Sequence, residues 1–367
     1  MSNKVNYWTG SECREFEKEF AAFAGTQYAV AVANGTLALD VALKAMGIGA
    51  GDDVIVTSRT FLASASCIVT AGANPVFADV DLNSQNISAE TVKAALTPNT
   101  KAVIAVHLAG MPAEMDDIMD LAKEHDLWVI EDCAQAHGAK YKGKSVGSIG
   151  HVGAWSFCQD KIMTTGGEGG MVTTNDKELW SKMWSYKDHG KSYDAVYHRE
   201  HAPGFRWLHE SFGTNWRMME MQAVIGRIQL KRMPEWTARR QAHAAKLAES
   251  LGKFASIRLI EVADYIEHAQ YKFYAFVKPE HLKEGWTRDR IVGELNARKV
   301  PCYQGSCSEV YLEKAFDNTP WRPKERLKNA VELGNTSLMF LVHPTLTDDE
   351  IAFCKEHIEA VLAEATA

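Results

Sequence analysis

Short apolar runs alternate with longer amphipathic segments along the first third of the chain. Phe16, Phe20 and Phe23 share one face of a predicted helix, which Thr9 and Glu12 would open as a capping box and Gly25 would end. Strand-like runs follow at 28–33, 53–57, 75–80, 101–108 and 127–133, and predicted helices separate them at 37–46, 61–72, 88–96 and 114–125. Buried strands that alternate with helices predict an α/β fold with a large, mostly parallel sheet covered on both faces.

The alternation stops at two further strand-like runs, 152–157 and 169–174, because only a glycine-rich loop lies between them. They bring the expected sheet to seven strands, and a long helix is predicted at about 216–248. From about residue 250 the pattern changes to a smaller α+β unit, with strand-like runs at 255–262 and 271–278, a helix near 287–298 and a last helix from Asp348. We therefore expect a large α/β domain at 1–248 and a small C-terminal domain at 249–367.

Composition narrows the possible functions. The chain has 367 residues and a formal net charge of −7, which argues against binding nucleic acid through bulk charge. It has no apolar run of the roughly 18 residues that span a bilayer and no apolar signal segment, so we expect a cytoplasmic protein that does not bind membranes. Seven scattered cysteines without a C-x-x-C pair argue against a disulfide framework and a structural zinc site.

Candidate chemistry follows the strand-like runs, because ligands of open parallel sheets lie at the carboxyl ends of the strands. Gly35 and Thr36 open a helix whose free N–H groups could hold a phosphate, although a plain strand-to-helix turn would have the same sequence. Asp132 follows LWVI near the end of the run 127–133, at the mouth of a central strand, where a helix cap or a surface acid is the alternative. Lys161 lies in a glycine-rich loop just after Ser156. A phosphate site, a buried acid and an amine together are what a pyridoxal phosphate enzyme needs.

These segments resemble the DegT/DnrJ/EryC1/StrS family of pyridoxal phosphate-dependent nucleotide-sugar aminotransferases, and within it the perosamine synthases. The resemblance covers nearly the whole chain. The segments that carry it are ANGTLAL (33–39), SRTFLAS (58–64), FADVD (77–81), VHLAGMPAEMD (106–116), EDCAQAHGA (131–139), WSFCQDKIMTTGGEGG (155–170) and GTNWRMMEMQAVIG (213–226). It implies fold type I, the aspartate aminotransferase-like fold.

Specific roles follow from the resemblance, residue by residue. Lys161 would form the Schiff base with the cofactor, and Asp132 would bind its ring nitrogen. Gln135 would face the ring hydroxyl and Phe61 would stack on the ring. Phosphate contacts would come from Gly35, Thr36 and Ser156, and from Asn215 toward the cofactor of the neighbouring subunit, which implies a homodimer with shared active sites.

The implied reaction is a two-step, ping-pong transamination. Glutamate would give its amino group to the cofactor, which would pass it to a nucleotide-linked keto sugar, with Lys161 moving the proton. The segments favour a 4-keto-6-deoxyhexose for surface polysaccharide such as O-antigen, although transferases acting on 3-keto sugars share nearly the same motifs. Sugar 3-dehydratases of this fold carry histidine at the lysine position, and a dehydrogenase would need a G-x-G-x-x-G motif that is absent after the first strand.

Several positions depart from the family pattern or invite another interpretation. Cys158, Gln159 and Asp160 stand where the family commonly has His or Tyr, Pro and a variable residue, and Trp216 replaces a usual tyrosine. The segment 186–216 is rich in histidine and aromatic residues. We expect no metal site there, because its histidines lack an i, i+4 pair on a plausible helix. An ordered loop is one interpretation, and a loop over the substrate entrance is another. The second would offer Tyr186, Lys187, His189 and Arg206 to the sugar or pyrophosphate.

Overall fold

The computed structural model describes residues 10–367. The helices are α1 (Glu12–Ala24), α2 (Gly35–Ala45), α3 (Ala63–Thr70), α4 (Ala89–Ala94), α5 (Met115–Glu124), α6 (Lys177–Lys187), α7 (Tyr193–Tyr197), α8 (Glu220–Leu230), α9 (Met233–Leu251), α10 (Arg288–Ala297), α11 (Lys328–Thr336) and α12 (Asp348–Ala365). The strands are β1 (Tyr28–Val32), β2 (Asp53–Thr57), β3 (Asn74–Ala78), β4 (Thr100–Val106), β5 (Trp128–Asp132), β6 (Lys140–Tyr141), β7 (Lys144–Ser145), β8 (Val152–Ser156), β9 (Gly170–Thr174), β10 (Ile257–Leu259), β11 (Ile266–Glu267), β12 (Phe273–Val277), β13 (Cys302–Tyr303) and β14 (Ser337–Phe340).

The seven predicted strands form one sheet in the order β1-β9-β8-β5-β4-β2-β3. Neighbours from β8 to β3 are parallel, whereas β9 runs antiparallel to both β1 and β8. The strands are buried along nearly their whole length because helices cover both faces. The prediction of a large, mostly parallel seven-stranded sheet is confirmed.

Two helix predictions need correction. The long helix expected at 216–248 is two helices, α8 and α9, which are separated at Lys231 and Arg232. Pro234 lies in the first turn of α9, where its missing N–H is tolerated, but the same proline would interrupt a continuous helix. The first helix begins at Glu12 with Ser11 as its N-cap, and Thr9 of the expected capping box lies outside the described residues. Gly25 ends this helix with φ 69°, as predicted.

A second, antiparallel sheet has the order β10-β12-β14-β13 and shares a core with α9, α10 and α12. Of its elements, β10, β12 and α10 fall within the predicted segments near 255–262, 271–278 and 287–298, and α12 starts at Asp348 as expected, whereas β13 and β14 were not predicted. Val310, Tyr311 and Phe316, which come from this C-terminal half, pack in the core of the large sheet. The division of the chain at 248 and 249 stays a prediction.

The segment that leads into β12 of the smaller sheet passes the turn after β4, at the carboxyl end of that strand of the large sheet. A short three-stranded sheet, β11-β6-β7, joins the two parts. Just after it, the N–H groups of Ala269 and Tyr271 donate to the carbonyls of Gly110 and Ala109, each at 2.9 Å. These bonds fix Tyr271 beside the turn that follows β4. Within residues 10–367 no helix combines the length and the apolar composition needed to cross a membrane.

Two helix-interior glycines provide a test of the α1–α8 packing. A methyl group on buried Gly226 would lie 2.6 Å from Cζ of Phe16, whereas one on exposed Gly293 of α10 would meet nothing within 4 Å. We expect Gly226→Ala to lower the free energy of unfolding by about 1–3 kcal/mol through overpacking. Gly293→Ala should raise it by about 0.5–1 kcal/mol through helix propensity. Urea unfolding of both variants measures this, and equal shifts in the two would contradict the predicted contact.

Candidate active site

A cavity of about 650 Å³ lies at the carboxyl ends of β5 and β8 and at the start of α2. All the predicted cofactor residues of this chain except Asn215 line it: Gly35, Thr36, Phe61, Asp132, Gln135, Ser156 and Lys161. They meet here because parallel strands deliver their carboxyl ends to one edge of the sheet. Asp132 is the last residue of β5, Ser156 is the last of β8, and Gly35 is the first of α2.

Asp132 forms the buried acidic wall of the cavity. Its Oδ2 accepts a hydrogen bond from Ser64 Oγ at 2.8 Å, and its Oδ1 accepts one from the Ala134 N–H at 3.1 Å. Burial raises the pKa of Asp132 above its ordinary value, although these two hydrogen bonds and the positive charge of Lys161 oppose the increase. Sequence reasoning quoted the segment that contains Ser64 but gave this serine no role.

The start of α2 forms the opposite wall. Asn34 caps the helix by accepting the Leu37 N–H at 3.0 Å. The N–H groups of Gly35 and Thr36 have no acceptor within the helix, because they belong to its first turn. A Cβ on Gly35 would lie 2.5 Å from the Ser156 Cβ and 2.9 Å from its Oγ. Only glycine therefore lets the helix end pack directly on Ser156. The result is a compact group of N–H and hydroxyl donors suited to an anion.

Lys161 is mostly buried, and its side chain is 18% exposed. Its Nζ lies 3.4 Å from Oδ1 of Asp160 and 5.3 Å from the ring centre of Tyr271. The Tyr271 hydroxyl donates to Oδ2 of Asp160 at 2.6 Å. Burial would raise the pKa of Asp160, but this hydrogen bond and the nearby Lys161 charge hold it below its ordinary value. Sequence reasoning noted Asp160 only as a departure from the family pattern, and it missed Tyr271.

Phe61 and Gln135 complete the cavity lining. Phe61 is 71% exposed, which is unusual for a phenylalanine and leaves its ring available to a ligand at the mouth. Gln135 is anchored from behind, because its Oε1 accepts the Ala109 N–H at 2.7 Å. Both side chains also line a second cavity of about 670 Å³, which extends toward the smaller sheet and shares Lys161 and Asp160 with the first. Lys161 thus lies where the two cavities meet.

The remaining predicted residues lie elsewhere on this chain. Asn215 is exposed and pairs through its backbone with Asp188. Of the four candidate substrate residues, Tyr186 lines a separate surface pocket, Lys187 is buried with its Nζ 5.1 Å from the ring of Trp184, and His189 and Arg206 are exposed. None of these five side chains lines either cavity.

One group of metal-ligand types occurs within residues 10–367, namely His107, Glu131 and Cys133, all buried. Its geometry is that of a hydrogen-bond network. His107 Nδ1 accepts the Ala113 N–H, and its Nε2 lies 3.0 Å from Glu131 Oε2, so both ring nitrogens are engaged. Glu131 also accepts the N–H groups of Gly147, Ile149 and Gly150 at 2.6–2.8 Å. Because these donors use the lone pairs that a metal would need, the group is structural.

Comparison with known proteins agrees with this geometry. The sequence profile of the DegT/DnrJ/EryC1/StrS aminotransferase family matches residues 1–359. The chain belongs to this family. The crystal structure of an aminotransferase from Psychrobacter cryohalolentis superimposes on this aminotransferase with a TM-score of 0.96, at 64% identity, over 99% of this chain and 94% of that one. The predicted fold class is therefore confirmed.

Two relatives are named for different amino sugars. GDP-perosamine synthase of Escherichia coli O157:H7 is 42% identical over 358 residues, covering 98% of this aminotransferase and 91% of the relative. The dTDP-3-amino-3,4,6-trideoxy-alpha-D-glucose transaminase of Streptomyces venezuelae is 36% identical over 310 residues, covering 84% and 76%. The family assignment thus does not fix the carbon that receives nitrogen.

The ionisation of buried Glu131 makes the free energy of unfolding of this aminotransferase depend on pH. Burial would raise the pKa of Glu131, but the hydrogen bonds from His107, Gly147 and Gly150 hold it below its ordinary value. Its contribution is therefore full above about pH 4.5 and is lost as the pH falls through its lower folded-state pKa. We expect Glu131→Gln to lower the free energy of unfolding at pH 7 by about 2–3 kcal/mol. Urea unfolding between pH 7 and pH 3 should show this difference shrinking in acid. Glu267→Gln, which changes an exposed carboxylate, serves as the control.

Proposed function

We propose that this protein is a pyridoxal phosphate-dependent aminotransferase that moves an amino group from glutamate to a nucleotide-linked keto sugar, with a 4-keto-6-deoxyhexose as the favoured acceptor. One observation carries the proposal: an amine, Lys161, and a buried carboxylate, Asp132, line the same cavity as an anion site at the start of α2. Family membership and the sugar transaminases among its relatives support it.

The residues of the cavity fit pyridoxal phosphate. Gly35, Thr36 and Ser156 would hold the phosphate, because their donors lie together at a helix N-terminus. Asp132 would hold the ring nitrogen in its protonated form, since a buried carboxylate favours a cationic partner. Phe61 would cover the ring, and Gln135 would face the ring hydroxyl. When bound, the cofactor supplies an aldehyde that stores nitrogen and a ring that accepts negative charge.

Lys161 is the residue that moves protons in this scheme. Its Nζ lies at the junction of the two cavities, where it would hold the cofactor covalently until the amino donor replaces it. The released Nζ would then take the proton from the α carbon of glutamate and pass it to the cofactor. When nitrogen passes to the sugar, the same amine would move a proton from the cofactor to the sugar carbon that receives nitrogen. Because both substrates use one site in turn, ping-pong kinetics should result.

The choice of acceptor sugar rests on similarity to relatives. The similarity to GDP-perosamine synthase over 98% of this chain favours amination at carbon 4, while the Streptomyces relative keeps a 3-keto sugar as the second candidate. A sugar 3-dehydratase is less favoured, because the residue in the loop is lysine and not histidine. The product would be an amino sugar for O-antigen or another surface polysaccharide. Seven free cysteines support a reducing, cytoplasmic location.

We also propose a homodimer with shared active sites. Asn215 is exposed and lines neither of the two cavities described above, as expected for a residue that serves the partner. Nearby, Met221, Val224 and Ile228 form an exposed apolar stripe on α8, with 40–53% of each side chain accessible. In a homodimer, a second copy of the chain packed on α8 would remove these apolar side chains from water. His189 and Arg206, which are also exposed, would then be available to the substrate of the partner, whereas buried Lys187 would serve only as support.

Substitution of the lysine tests the cofactor assignment. Wild-type protein should be yellow and should bleach with borohydride, with the cofactor mass fixed on the peptide that contains Lys161. Lys161→Ala should keep the circular dichroism spectrum of the wild type but lose both the fixed mass and all turnover. Lys272→Ala is the matched control, since Lys272 lines only the second cavity and its loss should leave the fixed mass on Lys161. A borohydride-stable mass that persists in Lys161→Ala would contradict the assignment.

A substrate panel tests the reaction. GDP-, dTDP- and UDP-linked 4-keto and 3-keto sugars are incubated with glutamate, and mass spectrometry follows exchange of the keto oxygen for an amino group. We expect conversion of a 4-keto-6-deoxy sugar. Conversion of only 3-keto sugars would select the second candidate, and loss of water without gain of nitrogen would indicate a dehydratase.

Mixing of inactive variants tests the shared sites. Lys161→Ala and Asn215→Asp should each be nearly inactive, the second because a carboxylate would repel the phosphate of the cofactor. If the sites are shared, the mixed dimer has one intact site, so turnover should reappear on mixing. Ile228→Glu in both proteins should abolish this recovery by preventing dimerisation, which light scattering monitors. Mixed dimers that stay inactive would show that each chain forms its site alone.

A further inference from the structure

Asp160 immediately precedes Lys161 and occupies the position that the family pattern leaves variable. Its carboxylate is shared between two partners: Oδ1 lies 3.4 Å from Lys161 Nζ, and Oδ2 accepts the Tyr271 hydroxyl at 2.6 Å. Within residues 10–367 this is the one carboxylate that forms an ion pair with Lys161. Asp132, the acid expected at the other end of the cofactor, is engaged instead by Ser64 and Ala134.

Tyr271 is a rigid anchor for this carboxylate. It is 5% exposed, its N–H donates to the Ala109 carbonyl at 2.9 Å, and its own carbonyl accepts from Arg240 at 3.4 Å. Burial and the hydrogen bond to Asp160 raise the pKa of Tyr271, so its hydroxyl remains a donor at any working pH. The phenol therefore fixes one oxygen of Asp160 and leaves the other directed at Lys161.

The other charged groups around this pair are of both signs. Lys272 follows Tyr271 and lines the second cavity, where burial lowers its pKa, and Arg240 of α9 lies behind Tyr271. Burial lowers the pKa of His137 to about 3, so it is neutral. Glu168 and Asp132 line the first cavity only, and Glu313 lines the second cavity only. Asp160 is thus the anion placed where the two cavities meet.

We propose that Asp160, held by Tyr271, is a positioning residue that directs the Lys161 amine toward the junction of the two cavities and stabilises its cationic state there. The inference rests on the proposed function, in which Lys161 binds the cofactor and moves the proton. Through Asp160, the lysine loop is also connected to the segment that leads into the smaller sheet, so the position of that segment and the state of Lys161 depend on each other.

The first test is a spectrophotometric pH titration of the cofactor-loaded enzyme. In Asp160→Asn the midpoint of the colour change should fall by about one pH unit, because an opposite charge that favours the protonated link is lost. Asp160→Glu should recover most of the wild-type midpoint, and Tyr271→Phe should fall between the two because the carboxylate stays but is no longer held. Asp264→Asn, which changes an exposed acid, should match the wild type. A purely structural role would change the melting temperature without moving the midpoint.

The second test needs no cofactor and so separates this inference from the proposed function. Cofactor-free protein is treated with acetic anhydride at pH 8, and peptide mass spectrometry compares acetylation of Lys161 with that of exposed Lys231. Asp160→Asn should acetylate Lys161 several-fold faster than wild type, because the ammonium loses its anionic partner. Unchanged acetylation, or an unchanged midpoint in loaded Asp160→Asn, would overturn the inference. Wild-type protein that takes no cofactor but shows the acetylation effect would overturn only the proposed function.

Discussion

The position of Asp132 depends on the buried carboxylate next to it in the chain. Glu131 of β5 accepts hydrogen bonds from His107 after β4 and from three backbone N–H groups in the loop before β8, so it links three neighbouring strands. The His107 N–H adds a bond to the Asp132 carbonyl at 3.1 Å. Because side chains alternate along a strand, fixing Glu131 on one face of the sheet fixes Asp132 on the other. The backbone of the cavity acid is therefore positioned by residues that do not line the cavity, whereas Ser64 and Ala134, which do line it, hold its carboxylate.

The two sides of the cavity are positioned by different means. The strand ends hold Asp132 and Ser156, whereas α2 approaches closely enough to form the anion site only because residue 35 has no side chain. Lys161 belongs to neither group, since it lies in the loop between β8 and β9 and is held by contacts to Asp160 and Tyr271. The acid and the anion site thus lie at strand and helix ends, whereas the amine lies on a loop.

Periodicity predicted the seven strands, and strand ends together with family motifs predicted the cavity lining, because both depend on local patterns. The break between α8 and α9 was missed although Pro234 signals it in the sequence. Ser64 and Tyr271 could not be found in this way. Tyr271 is 111 residues from Asp160 in the sequence, and a contact between residues so far apart leaves no local pattern. The four substrate candidates came from composition alone, and composition does not determine which way a loop faces.

The antiparallel direction of β9 has a consequence for how this enzyme can diverge. The loop from β8 to β9 leaves and re-enters adjacent strands, and it is closed at its base by bonds from Phe157 N–H to Gly169 and from Thr165 N–H to Phe157. Because hydrogen bonds hold both ends of this loop, residues 158–160 can be exchanged without shifting the register of the sheet. Substitution of these three neighbouring residues, which line the first cavity, is therefore a short evolutionary route to a changed substrate specificity.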